Sequence, residues 1–299
     1  MQTIERYLGI RRVAGFRLRV AEGFLRSYAR FASERGEAYV RAQTVLDWVA
    51  LIPSVSQRGR RLEAVTIFAQ YAQAEDTRHE VPPRGIFRRQ RPFYRPFIFT
   101  EDQIHQLLEQ AARLTPTGSL RPWTYCTLFS LLAVTGLRIS EALALRFEDI
   151  TADGLLIRQT KFHKSRLVPL HSSAQAGLGR YLQQRRLRGG GDDHVFISRR
   201  NRALHYQTAA ETFRTLIRQI GLQRQTPRPR IHDLRHSWAV RALEASPSGY
   251  DQVNQHVLAV STYLGHVKLA STFVYLHTTP QLLAGIATRC ETFDEGAAS

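Results

Sequence analysis

The sequence predicts a mainly α chain with a small antiparallel β-sheet, divided between a small helical N-terminal domain and a larger second domain. Three observations carry that expectation. Apolar residues recur at helical spacing through residues 16–79, with no convincing strand among them. An acid-free stretch broken by prolines then interrupts the chain. Beyond it one pair of β-rich runs, DGLLIRQT and SRLVPL, stands among amphipathic helices. A chain of 299 residues is long for one domain and comfortable for two.

In the first segment, FRLRVAEGFLRSYARFASERG carries Phe24, Leu25, Tyr28 and Phe31 with arginines between them. AQTVLDWVALI follows and ends at Pro53, and GRRLEAVTIFAQYAQ aligns Leu62, Val65, Phe68, Ala69 and Ala72 on one side. Three or four short helices are expected here. The boundary is VPPRGIFRRQRPFYRP, where Pro82, Pro83, Pro92 and Pro96 extend the backbone and no acid occurs from Val81 to Phe99. Its Arg84, Arg88, Arg89, Arg91 and Arg95, interleaved with aromatics, suit contact with a phosphate backbone. The expected division is therefore a helical domain over 1–81, a basic linker over 82–99 and a second domain over 100–299.

Regular structure restarts at Thr100, whose TEDQ run is a capping-box pattern: the hydroxyl accepts from the Gln103 amide and the Gln103 side chain reaches back. WTYCTLFSLLAVTG is apolar on nearly all sides, so a buried helix ended by Gly136 is expected, with another in RISEALALRF. The two β-rich runs flank KFHK as a hairpin. Helices are expected near 172–186 and 207–220, separated by a strand-like VFIS. HDLRHSWAVRALEA, DQVNQHVLAVSTYL and PQLLAGIATRCETF read as the last three helices.

A net charge of +17 attracts polyanions, with nucleic acid first and an acidic membrane surface as the rival. The basic residues are almost all arginine; the lysines are Lys161, Lys164 and Lys268. A lysine can serve as a proton donor near neutral pH, which an arginine cannot. No apolar run is long enough for a transmembrane helix, and MQTIERYLGIRRVAG has no signal-peptide core, so an intracellular protein is expected. Cys126 and Cys290 suggest no disulfide framework, and no CxxC or HExxH spacing points to a metal.

Four separated stretches carry groups with chemistry. TGLRISEALAL places Arg138 just after the Gly136 turn at a helix start, with Glu141 three residues on and able to orient the guanidinium. Lys161 and Lys164 sit in the turn region of QTKFHKSRLVPL. In IHDLRHSW, His232 and Arg235 share a helical face, whereas His236 is expected to point elsewhere. In YLGH, Gly265 allows a tight turn that presents His266, and Tyr275 follows nine residues later. Two guanidiniums match phosphate oxygens and stabilise the extra negative charge of a pentacovalent phosphorane.

As a set, TGLRISEALAL, the lysine hairpin, HDLRHSWA, and LGH with its tyrosine resemble the tyrosine recombinase (phage-integrase-like) family, over residues 100–280 in the right order. The preceding helical segment is similar to that family's core-binding domain, and the resemblance implies a two-domain C-clamp. It further implies that Arg138 and Arg235 bind the scissile phosphate, His232 acts as acid/base, and His266 donates to a nonbridging oxygen. Lys161 protonates the leaving 5′ oxygen, and Tyr275 attacks to give a 3′-phosphotyrosyl bond. A free tyrosine has a pKa of about 10, so the phenol needs positive surroundings and a proton acceptor.

The implied activity is site-specific recombination of double-stranded DNA by a homotetramer that passes through a Holliday junction. A partner recombinase or accessory protein is allowed for, no cofactor is implied, and the setting is the bacterial cytoplasm and nucleoid. The family's hairpin commonly reads GKGxK; this chain has TKFHK, which leaves Lys164 a live alternative to Lys161. The long, polar SPSGYDQVNQHVLAVSTY before LGH looks more like mobile-element integrases than chromosome-dimer resolvases. A degenerate DNA-binding accessory protein of the same fold, or a type IB topoisomerase-like strand transferase, are the competing readings.

Overall fold

The apolar stripes marked by the spacing are the surfaces that the helices bury. The structure, a computed structural model, describes residues 2–16, 18–87, 95–158, 165–188, 192–245 and 250–265. The chain divides into two compact units, Met1–Tyr94 and Arg95–Ser299.

The first unit holds α1 (Gln2–Val13), α2 (Arg19–Ser33), α3 (Ala42–Ala50) and α4 (Val55–Glu75). Leu25 and Tyr28 on α2, Val45 and Trp48 on α3, and the α4 stripe Leu62, Val65, Phe68, Ala69 and Ala72 form one core. α1 lies ahead of the stretch in which helices are expected. It joins the core through Ile4, Tyr7 and Leu8, with the Tyr7 ring edge-on to Phe68 at 5.5 Å. Val81 and Phe87 pack on the same core, so the start of the proline-rich stretch adheres to this unit.

The second unit is built around α6 (Leu120–Thr135), which packs against α5 (Glu101–Ala112), α8 (Ser172–Leu187) and α10 (Ile231–Glu244). Between these run α7 (Ile139–Ala144) and α9 (Tyr206–Gln219), and α11 (Tyr250–Leu264) follows α10. The Thr100 capping box is present, with Gln103 N–H donating to the Thr100 hydroxyl at 3.2 Å and Gln103 Oε1 accepting from Thr100 N–H at 3.1 Å. α6 is not buried on every side. Its Trp123 and Val134 lie at the surface, while Leu128, Phe129 and Leu132 fill the core.

The hairpin forms as β2 (Gly154–Ile157) and β3 (Arg166–Val168), antiparallel with Ile157 opposite Arg166. A short strand absent from the expectation, β1 (Ile150–Thr151), completes the sheet in the order β1-β2-β3. The VFIS segment is not a strand. Within it only Ile197 makes an isolated bridge, to Ala203, and His194 just before it bridges Arg146, while Val195, Phe196 and Ile197 are all buried. Among the described residues no helix is long and apolar enough to cross a membrane.

Candidate active site

The first component is set by the end of α6. Gly136 caps that helix in the left-handed region at φ 60°, and a Cβ there would lie 2.7 Å from the Trp238 ring. The chain can therefore turn tightly under α10 only without a side chain. Two residues later Arg138 takes the N-cap position of α7 with extended backbone, and its N–H donates to Glu141 Oε2 at 3.0 Å. The Arg138 side chain returns to the same carboxylate, Nη1 to Oε1 at 2.7 Å, and its Nη2 reaches Gly265 O at 3.1 Å.

Glu141 is thus not a surface partner; its side chain is 8% exposed. A second guanidinium, that of Arg166 at the start of β3, grips it with Nη1 to Oε1 at 3.1 Å and Nη2 to Oε2 at 2.8 Å. Burial pushes the Glu141 carboxyl upward. The hydrogen bonds and charges of Arg166 and Arg138 outweigh that and hold it at about 2. Glu141 is therefore ionised at any pH near neutrality.

α10 supplies the third guanidinium. Its apolar face, Ile231, Leu234, Ala239, Val240 and Leu243, is buried, and Asp233 at its first turn accepts from Arg230 N–H at 2.7 Å. Ser237 bridges this helix to the entry segment, donating to Asp233 O and accepting from Phe99 N–H, each at 2.8 Å. On this fixed helix Arg235 is 2% exposed and directs Nη1 to Gly136 O at 2.6 Å and Nη2 to Leu264 O at 2.7 Å.

The acceptors of these arginines fall in one place. Tyr263 O accepts from Arg166 Nε at 3.0 Å, Leu264 O from Arg235, and Gly265 O from Arg138. These are successive carbonyls at the C-terminal end of α11, where a helix leaves carbonyls unpaired and its dipole is negative. Gly265 turns the chain at φ +66°, and a Cβ on it would stand 3.1 Å from Arg166 Nη1. The three guanidiniums against one carboxylate leave a local charge of +2 beside the peptide that leads to His266.

His232 lies on the outer side of this cluster and is exposed. Desolvation by the surrounding protein, then the charges of Arg235, Arg138 and Arg230, push its pKa down to about 4. Its exposed surface lets solvent relieve part of the desolvation, so the neighbouring guanidiniums fix the direction. The imidazole is neutral at pH 7 and can accept a proton. His236 does not point away from it as expected: the two rings meet edge to face at 4.7 Å, as residues one helical turn apart do.

The structure therefore brings together Arg138, Glu141, His232 and Arg235 from the sequence reading. Lys161, Lys164, His266 and Tyr275 lie outside the described residues, as do Arg88, Arg89 and Arg91. Arg84 is exposed and donates to Gln70 Oε1 at 2.6 Å, and Arg95 is exposed. Arg166 and Arg230 are additions that the sequence reading missed. Arg166 offered one local signal, a charged residue opening a short strand immediately after the lysine turn.

A family model described as the phage integrase family matches residues 98–281. The chain is 37% identical to the protein y4rB of Sinorhizobium fredii, named as an integrase/recombinase, over 97% of this chain and 96% of that one. It is 29% identical to the tyrosine recombinase XerD of Neisseria meningitidis, over 77% of this chain and 75% of that one. In fold it is similar to a lambda integrase tetramer bound to a Holliday junction, with a TM-score of 0.58 and 18% identity over 89% of this chain and 77% of that one.

Proposed function

The chain belongs to the phage integrase family of tyrosine recombinases, and from that premise we propose that Tyr275 is the nucleophile of its strand-cleavage site. The observation that carries the proposal is the cluster of Arg138, Glu141, Arg235 and His232 around the end of α11, one residue before His266.

In this reading a DNA phosphate settles against the +2 cluster. Arg138, oriented by Glu141, and Arg235 offset the charge that builds on the nonbridging oxygens as the phosphorane forms. His232, neutral and at the surface, takes the proton of the Tyr275 hydroxyl, and His266 donates to a nonbridging oxygen. The Tyr275 oxygen bonds to phosphorus as the bond to the 5′ oxygen breaks, and that oxygen receives a proton from Lys161 or Lys164. The products are a 3′-phosphotyrosyl ester and a free 5′ hydroxyl. Attack by a second 5′ hydroxyl reverses the steps, with one ester exchanged for another, so no nucleotide hydrolysis is needed.

The same reading makes residues 1–81 a DNA-binding domain and 82–99 a linker, whose Arg84, Arg88, Arg89, Arg91 and Arg95 follow the phosphate backbone. Four copies acting on two sites resolve a Holliday junction, in the cytoplasm at the nucleoid, on the ends of a mobile element. The likeness in fold to a lambda integrase tetramer on a Holliday junction supports the four-copy assembly, and the name of y4rB supports recombination.

The test is covalent capture on nicked suicide duplexes drawn from a randomised pool. Wild-type chain should form an adduct that protease digests to a DNA-bound peptide containing Tyr275, and Tyr275→Phe should form none. An adduct of equal yield with Tyr275→Phe sinks the assignment.

A further inference from the structure

We propose that Arg166 is a positioning residue for strand cleavage: it holds Glu141 and the end of α11 together, so that Arg138 keeps its positive charge for a phosphate. The inference rests on the reading of Arg138 as a phosphate ligand. It concerns a residue that was given no part in the chemical steps above.

Three features carry it. The first is geometry. One guanidinium makes contacts with two elements, spanning both Glu141 oxygens at 3.1 and 2.8 Å and holding Tyr263 O at 3.0 Å. Its face lies so close to Gly265 that a Cβ there would approach Nη1 to 3.1 Å, so Arg166 also shapes the turn that precedes His266.

The second is charge. Glu141 paired with Arg138 alone forms a neutral couple, and the carboxylate then competes with any incoming anion for that guanidinium. Shared with Arg166, the trio is net positive, and Arg138 remains attractive to phosphate. With Arg166 15% and Glu141 8% exposed, solvent screens little of this. Arg138, at 29%, is the most open of the three.

The third is register. Arg166 pairs with Ile157 at the last described pair of β2 and β3, and Lys161 and Lys164 fall in the sequence between those strands, so the same contacts anchor one end of the segment that contains them. A lysine cannot reproduce them. One ammonium on a flexible stem does not span two carboxylate oxygens and a carbonyl in a plane.

The experiment uses the full chain and nicked duplexes recovered from the pool by wild-type capture. Adduct formation is followed in single turnovers at saturating protein, beside duplex Kd and melting temperature. Arg166→Met should slow capture on the order of 10- to 100-fold, the worth of a lost charge-assisted hydrogen bond or two, while duplex Kd changes by less than about 3-fold. In a Glu141→Gln background the same change should cost less than half as much on a logarithmic scale, because its main route is gone.

A purely structural role predicts something else, a lower melting temperature with an unchanged rate at saturation. Arg166→Lys covers the case in which Arg166→Met does not fold; it should fall between the two, roughly 3- to 10-fold slow. Wild-type speed in Arg166→Met or Arg166→Lys, or an undiminished loss in the Glu141→Gln background, overturns the inference alone. Failure of the wild-type chain to capture any duplex overturns the recombinase-site reading, and this inference with it.

Discussion

Replacing Glu141 by glutamine tests the electrostatic centre of the site without changing its shape. The carboxylate accepts from Arg138 N–H, Arg138 Nη1, Arg166 Nη1 and Arg166 Nη2. An amide keeps one acceptor oxygen and turns an NH2 towards donors on the other side. The fall of the Glu141 pKa from 4.5 to about 2 corresponds to about 3 kcal/mol at ~1.36 kcal/mol per pH unit. That agrees with the roughly 3–5 kcal/mol expected when one partner of a buried ion pair is removed.

The sign follows from linkage. A carboxyl depressed in the folded state stabilises fully above its unfolded pKa of 4.5, and the benefit is lost as pH falls towards about 2. Urea denaturation of wild-type and Glu141→Gln chains should therefore differ by about 3 kcal/mol at pH 7 and by about 2 kcal/mol at pH 3.5. A difference below about 1 kcal/mol, or one unchanged between pH 7 and 3.5, refutes the view that Glu141 is held ionised by two arginines.

Three further outcomes are expected. The His232 imidazole, followed by NMR, should stay neutral well below its ordinary value of 6.5. Because the fold disfavours the charged imidazole, stability should fall as pH drops from 6.5 towards about 4; titration at 6.5 would remove the influence of the neighbouring guanidiniums. Gly136→Ala should lower thermal stability by about 2 kcal/mol or more, because the residue has φ +60° and a Cβ would meet Trp238 at 2.7 Å; an unchanged melting temperature counts against the close packing of α6 on α10. With a 5′-phosphorothiolate leaving group, whichever of Lys161→Ala and Lys164→Ala regains wild-type cleavage identifies the proton donor, and rescue of neither argues against a lysine acid.

Much of the fold was legible because the signals are local. The Thr100 capping box, the α4 stripe from Leu62 to Ala72 and the Gly136 stop each depend on residues a few positions apart. Arg138 with Glu141, and His232 with Arg235, were legible for the same reason: offsets of three place them on one turn. β1, two residues long, carries too little pattern to be seen, and the bridged VFIS segment mimics a strand by composition alone. Arg166 is the instructive miss. Its partners Glu141 and Tyr263 are distant in sequence, and in a chain so rich in arginine its one local signal, a place at the start of a short strand, is too weak to separate it from a solvated residue. Only the register of β3 against β2 brings it inward.

The arginine contacts at the end of α11 also determine which changes the chain can tolerate there. Arg166, Arg235 and Arg138 hold Tyr263, Leu264 and Gly265 by main-chain oxygens, which no exchange of side chains can remove. Length is the vulnerable property. Adding or deleting a single residue within α11 moves every later carbonyl by about 1.5 Å along the axis and about 100° around it. That step lays each helical carbonyl on the place of its neighbour, so Arg166 and Arg235 still meet an oxygen, but the Gly265 turn held by Arg138 moves out of register with the cluster. α11 is thus a ruler: its residue count sets where the turn before His266 begins.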